Sequence, residues 1–269
     1  MSKTELTDVL TKDKLIAGLK SLGITGSQIL EVHTQMSAFN YVVGGAKTIV
    51  DGLMELCQNG GTILMPTQVS DNSEPSDWMN PPISPELWKT IRQEIPAYQE
   101  QESEIRYMGS VAQNFQHRKG VISSKHPHVA YAAWGRYAKL LVNGQSLHFP
   151  LSEESPAARL YELKGYILLM GVDMTSCTAM HLAEYRADCR PIGIEGAMVQ
   201  TESGLEWKEY LDLRIDSDDF QKVESILRKK ELLRETVICG CPVQLFSAQD
   251  AIDVATRFLE NSSVFDLYR

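Results

Sequence analysis

Residues 28 to 65 read as a strand, a helix and a second strand, and this order constrains the fold more than anything else in the chain. Gln28-Ile29-Leu30-Glu31-Val32-His33 forms the first strand. A loop from Thr34 to Val43 leads to Gly44-Gly45, which opens a helix with Ile49, Val50, Leu53, Leu56 and Cys57 on its apolar face. Gly60-Gly61 stops that helix, and Thr62-Ile63-Leu64-Met65 is the next strand. A helix of this length between two strands makes them parallel, through a right-handed crossover. Tyr166-Ile167-Leu168-Leu169-Met170 is apolar throughout and is expected near the centre of the same sheet.

The remaining pattern fills in around that unit. A helix opens at Thr11-Lys12-Asp13-Lys14 and ends at Gly23. Pro66 begins a long irregular stretch to about residue 107, with one short helix over 85–92. Loops this long are usually functional or disordered, and Trp78 and Trp88 argue against disorder. Helices are expected over 108–117 and from Ser155-Pro156 to about Leu163. Residues 192–200 and 207–213 alternate around Glu202-Ser203-Gly204, as in a hairpin. A helix over 220–228, one strand over 237–246 and a helix over 248–259 complete the chain.

Composition narrows the class of protein. The 269 residues are 43% hydrophobic and 23% charged, as in soluble globular proteins. No run approaches the roughly 20 apolar residues that cross a bilayer. The N-terminal Met1-Ser2-Lys3-Thr4-Glu5-Leu6 lacks the apolar run of a signal peptide. Cys57, Cys177, Cys189, Cys239 and Cys241 are odd in number and irregularly spaced, which reads as reduced thiols in the cytoplasm. Cys239-Gly240-Cys241 reads as a pair of buried thiols at a strand. The net charge of −9 argues against a nucleic-acid partner and suits a cationic substrate.

The densest chemistry lies in Ser176-Cys177-Thr178-Ala179-Met180-His181-Leu182-Ala183-Glu184-Tyr185-Arg186-Ala187. At helical spacing Cys177, His181, Glu184 and Asp188 share one face. A carboxylate beside a histidine fixes its tautomer and stabilises its charged form, which makes the ring a general base. A helix that merely carries one satisfied histidine fits the local pattern equally well. A zinc site on Cys177, His181 and Glu184 is a weaker reading, because no Cys-x-x-Cys pair is present. Gly44-Gly45 at a helix start suits a phosphate, but neither a P-loop nor a dinucleotide fingerprint is there. His33 and the His126-Pro127-His128 cluster read as structural or surface groups.

Ordered motifs along the chain resemble the aminoglycoside 3-N-acetyltransferases, the antibiotic N-acetyltransferase family. They are Val32-His33-Thr34-Gln35-Met36-Ser37, Val43-Gly44-Gly45, Gly61-Thr62-Ile63-Leu64-Met65-Pro66-Thr67, Ile91-Arg92, Met108-Gly109, Ser124-Lys125-His126-Pro127, Ser155-Pro156, Leu160-Tyr161-Glu162-Leu163 and Thr178-x-x-His181-x-x-Glu184-x-Arg186. They cover roughly residues 15 to 269. The family often has Asn where this chain has Cys177, and His-Ser-Ser where it has His33-Thr34-Gln35.

The resemblance implies a single domain over 1–269. Its fold would be an α/β/α sandwich, a mixed sheet with helices on both sides, distinct from the GNAT acetyltransferases. It implies acetyl transfer from acetyl-CoA to the 3-amino group of a 2-deoxystreptamine aminoglycoside, in a ternary complex and without a metal. His181 would be the general base, Glu184 its orienting partner and Thr178 a hydrogen-bond donor to the thioester. His33, Met36, Ser37, Val42, Val43, Gly44, Gly45, Met108 and Gly109 would form the acetyl-CoA site. Asp71, Glu74 and Asp77 would hold the ammonium groups of a polycationic amine. A homodimer is the expected assembly, being the commonest among soluble oligomers. Two other readings are a non-catalytic or differently specific acyl-CoA-binding protein of the same fold, and a metal-dependent hydrolase on Cys177, His181 and Glu184.

Overall fold

Helix α1 (Lys12–Ser21) starts where Thr11 turns extended and its hydroxyl accepts the Lys14 N–H at 3.3 Å. The computed structural model describes residues 6–262. Residues 1–5, on which the N-terminal reading mostly falls, lie outside the described residues, as do residues 263–269, the end of the expected domain.

Strand β1 (Ile29–Thr34), helix α2 (Ala46–Cys57) and strand β2 (Thr62–Pro66) form the expected crossover, with Leu30 beside Ile63 in a parallel pair. Gly45 caps α2 at φ 64°, a left-handed conformation that costs glycine nothing. The Pro-rich stretch carries α3 (Pro85–Glu94), and α4 (Gly109–Gln116) follows. Strands β3 (Ile122–Ser123) and β4 (Tyr131–Gly135) and helix α5 (Ala138–Val142) come next, none of which the sequence pattern indicated. Helix α6 (Pro156–Glu162) is capped by the Ser155 hydroxyl, and β5 (Tyr166–Met170) is the apolar strand. A short helix α7 (Leu182–Ala187) precedes the hairpin of β6 (Ile192–Thr201) and β7 (Gly204–Leu213). Helix α8 (Phe220–Lys229), strands β8 (Arg234–Ile238) and β9 (Cys241–Ser247) and helix α9 (Ala248–Ser262) end the described chain.

The main sheet has seven strands in the order β3-β4-β2-β1-β5-β9-β8. Its middle strands β2, β1 and β5 are parallel, and both flanks are antiparallel. Strand alternation divides the core into two layers. Leu30, Val32, Ile63, Met65, Leu168 and Met170 pack with α1, α2 and α4. Ile29, Leu64, Tyr131, Ile167 and Leu169 pack with α5 to α9. This is the expected α/β/α sandwich with a mixed sheet.

The single strand expected over 237–246 is two. Cys239 at φ 46° and Gly240 at φ 82° make a two-residue turn, and Ile238 pairs with Cys241 across it. Only Cys241 is buried, so the two thiols are not a buried pair. The β6–β7 hairpin forms a sheet of its own. Asn72 binds the long loop to it, donating to Met198 O at 2.9 Å and accepting the Met198 N–H at 2.7 Å. Among the described residues, no helix is long and apolar enough to cross a membrane.

Candidate active site

Cys177 is extended, and a 3-10 turn over Thr178–His181 runs directly into α7. Residues i and i+3 of a 3-10 turn eclipse, so Thr178 and His181 lie on one side. The four-residue face expected from Cys177 to Asp188 is therefore broken. Cys177 turns to the sheet, its Sγ 3.9 Å from Glu31 Oε2. Asp188 leaves the helix in the left-handed region, at φ 47°. Among the described residues, Cys177, His181 and Glu184 do not gather as a set of metal ligands.

His181 and Glu184 do meet. The imidazole Nδ1–H donates to Glu184 Oε2. Glu184 is fully buried, and its other oxygen accepts from Arg190 Nε at 2.6 Å and from the Asp216 N–H at 2.9 Å. Arg190 is held in turn by Asp216 O at 3.1 Å and Asp219 Oδ2 at 3.0 Å. These donors offset the cost of burying a carboxylate. The Phe220 ring packs on the imidazole, centroid to centroid at 5.1 Å. With its proton fixed at Nδ1, the ring has Nε2 free to accept another.

A cavity of about 220 Å³ opens at the C-terminal ends of β1 and β2, where open α/β sheets bind ligands. Its walls include His33, Thr34, Pro66, Met108, Val172 and Thr178. Met36 and Ser37 form a turn immediately after β1, and the Ser110 hydroxyl on α4 lies 3.7 Å from Met36 Sδ. Gly109 starts α4 at φ 81°, and a Cβ there would come 3.6 Å from Thr34 O. Thus His33, Met36, Ser37, Met108, Gly109 and Thr178 cluster around one sheet end. Val43, Gly44 and Gly45 stand at the start of α2, with Val43 and Gly44 exposed, while Val42 is buried in the core. The His33 ring turns inward, Nε2 lying 3.5 Å from Glu31.

The three loop acids are already paired. Asp71 lies 3.1 Å from Arg106, Glu74 accepts from Arg92 at 2.5 and 3.1 Å, and Asp77 lies 2.6 Å from Arg214. Glu74 is also buried and caps a short 3-10 turn, so its carboxylate serves the loop. Two acids on the hairpin stand nearby that sequence reasoning did not single out. Glu195 accepts from Arg214 at 2.6 Å. Burial, with Asp77 and Asp212 adding to it, pushes its pKa up to about 7. Asp212 accepts from the Tyr185 hydroxyl at 2.5 Å. Burial raises its carboxyl, while the hydrogen bonds from the Tyr185 hydroxyl and the Leu213 N–H act against that shift. Arg186 pairs with Glu153 at 2.7 and 3.0 Å and stacks on Tyr161, away from the histidine.

The family model for aminoglycoside 3-N-acetyltransferases matches residues 32–260. The chain belongs to that family. It is similar to the SPbeta prophage-derived aminoglycoside N(3')-acetyltransferase-like protein YokD of Bacillus subtilis (strain 168), 34% identical over 255 residues and covering 94% of each chain. The crystal structure of YokD matches with a TM-score of 0.93 at 33% identity, over 97% of each chain. Aminoglycoside N(3)-acetyltransferase VII of Streptomyces paromomycinus is 27% identical over 279 residues, 93% of this chain and 92% of that one. AAC-IIIb, solved as a binary complex with CoASH, shares the fold at a TM-score of 0.84 and 23% identity, over 96% of this chain and all 100% of that one. As a member of the aminoglycoside 3-N-acetyltransferase family the protein is an acyltransferase, built on the family's α/β/α sandwich.

Proposed function

We propose that this family member transfers acetyl from acetyl-CoA to the 3-amino group of a 2-deoxystreptamine aminoglycoside, directly and within a ternary complex. The observation that carries the reading is the buried Glu184 bonded to His181 Nδ1, on the same 3-10 turn as the cavity residue Thr178.

An amine attacks a thioester only as the free base. His181 Nε2 takes the proton as the nitrogen bonds to the carbonyl carbon, and Glu184 steadies the imidazolium that forms. The tetrahedral intermediate then expels CoA sulfur, breaking the C–S bond, and the amide remains. Thr178 donates to the thioester oxygen or to the departing sulfur. Acetyl-CoA lies over the end of β1, between the Met36–Ser37 turn and the Met108–Gly109 start of α4. Its phosphates face the glycine-capped start of α2. The binding of CoASH by AAC-IIIb supports the cosubstrate.

Cationic rings of the acceptor sit against Glu195 and Asp212 on the hairpin and Asp77 on the loop. Arg214 already answers part of that acidity by pairing with both Asp77 and Glu195, while Arg92 is held by Glu74. Asp212, which has a hydroxyl rather than an arginine as its partner, and Glu195 beside it stand against the substrate more than Asp71 or Glu74. Acetyl-CoA with a panel of 2-deoxystreptamine aminoglycosides, followed by free-thiol release, tests the reading. Acceptor-dependent release is expected. Tight acetyl-CoA binding without release would leave an acyl-CoA-binding protein in its place.

A further inference from the structure

Strand β1 carries a carboxylate into the core. Glu31 alternates with Leu30 and Val32 and lies in the α5–α9 layer among Leu64, Tyr131, Ile167 and Leu169, with no exposed surface. Among the described residues, no lysine or arginine pairs with it; the nearest basic group is the imidazole of His33. A buried carboxylate needs a compensating charge or a full set of hydrogen bonds. Glu31 Oε1 has neither, and His33 Nε2 also lacks a hydrogen-bond partner, while the fully buried Tyr131 hydroxyl stands beside the carboxylate.

The donor atoms of Glu31, His33 and Cys177 all lie within 4.8 Å of one another. Glu31 Oε2 stands 3.5 Å from His33 Nε2 and 3.9 Å from Cys177 Sγ. The first is long for a hydrogen bond, and the second lies at the far limit for a sulfur donor. A tetrahedral zinc ion, with bonds of about 2.0–2.3 Å, holds its ligand atoms about 3.3–3.6 Å apart. The three groups therefore stand within a few tenths of an ångström of zinc geometry along these two edges.

We propose that Glu31, His33 and Cys177 bind one zinc ion, with water in the fourth position. As the zinc–sulfur bond forms, the Cys177 thiol releases its proton to solvent. The site is then neutral: one carboxylate, one thiolate and one neutral imidazole around a divalent cation. The donor set of one sulfur, one nitrogen and one oxygen suits zinc over calcium or magnesium. The sequence led to the expectation of no metal, and its weak zinc reading used Cys177 with different partners.

The ion would join β1 to the residue preceding Thr178, and so fix the segment that carries Thr178 and His181. Its role is structural, and it does not depend on which amine is acetylated.

The test uses the full-length protein, depleted of metal with a chelator and titrated with cobalt(II) as a spectroscopic stand-in for zinc. One equivalent of cobalt is expected, with a thiolate-to-cobalt charge-transfer absorption. Cys177→Ser should abolish that absorption and weaken zinc binding by about 100-fold or more, and Glu31→Gln by roughly 10–100-fold. His181→Ala should bind metal as the parent does, which separates this site from the proposed acyl transfer. No uptake by the parent overturns the proposal. So does an absorption that survives Cys177→Ser, which would place the metal on another thiol, or loss of uptake in His181→Ala. If Cys177→Ser does not fold, zinc-edge X-ray absorption of the parent decides: one sulfur with nitrogen and oxygen neighbours supports the site, and any other sulfur count overturns it.

Discussion

Arg190 grips one oxygen of Glu184 at 2.6 Å while the other oxygen takes the Nδ1–H of His181. One carboxylate thus has two jobs, and each depends on the other. Arg190 compensates the charge that burial penalises, and this lets Glu184 stand in the core at the distance the imidazole needs. Arg190 touches neither the cavity nor His181. It is a positioning residue, acting through Glu184.

Removing that grip should expose the dependence. Arg190→Leu strands a buried carboxylate with only His181 and the Asp216 N–H. A loss of about 3–5 kcal/mol in urea-induced unfolding is expected, with a fall in kcat larger than any change in acetyl-CoA binding. A variant as stable and as active as the parent would show that Glu184 does not rely on Arg190.

The His126-Pro127-His128 cluster is structural, and its titration should be visible in stability. His126 Nδ1 accepts the Val129 N–H at 2.8 Å, and Nε2–H donates to Leu147 O at 3.1 Å. Burial pushes His126 down to about 3 and His128 to about 4. Both lie below the unfolded value of about 6.5. Between those limits the unfolded chain binds protons that the folded one refuses, so stability falls as pH falls from about 6.5. His126→Gln should make that slope shallower by up to about 1.4 kcal/mol per pH unit. Denaturant curves at pH 5 and 7 read it; parallel slopes in parent and variant would contradict it.

Glu195 predicts a pH dependence in binding. Its pKa of about 7 is raised by burial first, with Asp77 and Asp212 adding and Arg214 opposing. It gains its charge as pH rises through 7. The KM for a cationic acceptor should therefore fall between pH 6 and 8, by about fivefold, and Glu195→Gln should flatten the profile. A profile unchanged by that substitution would remove Glu195 from the acceptor site.

Much of this was legible in the chain, for physical reasons. The central crossover was readable because glycines bracket a helix with one apolar face. The His181–Glu184 pair was readable because both members lie three residues apart in one segment. Arg190 and the Asp216 N–H were not, because they approach Glu184 from beyond the helix end and from the far side of the hairpin. The hairpin acids were hidden by an inverted alternation. Ile192, Ile194 and Leu211 face outward, exposed by 62%, 58% and 41%, while Tyr210 and Asp212 face in. Apolar positions of a hairpin are normally read as the inner ones. In the long loop the acids were found, but the arginines that pair with them come from α3, the residues before α4 and the end of the hairpin, and no local pattern marks them. Nothing local marks Glu31 within a strand of apolar neighbours, and helical spacing misplaces Cys177 because a 3-10 turn replaces the first turn of its helix.

The central claim is that His181 is the base that frees the attacking amine. The most direct test compares the parent with His181→Ala in two assays, acetyl-CoA binding by titration calorimetry and aminoglycoside-dependent thiol release. Acetyl-CoA affinity within about twofold of the parent and a fall in kcat of about 10²–10⁴ are expected. Turnover within tenfold of the parent would contradict the claim, as would a variant that no longer binds acetyl-CoA.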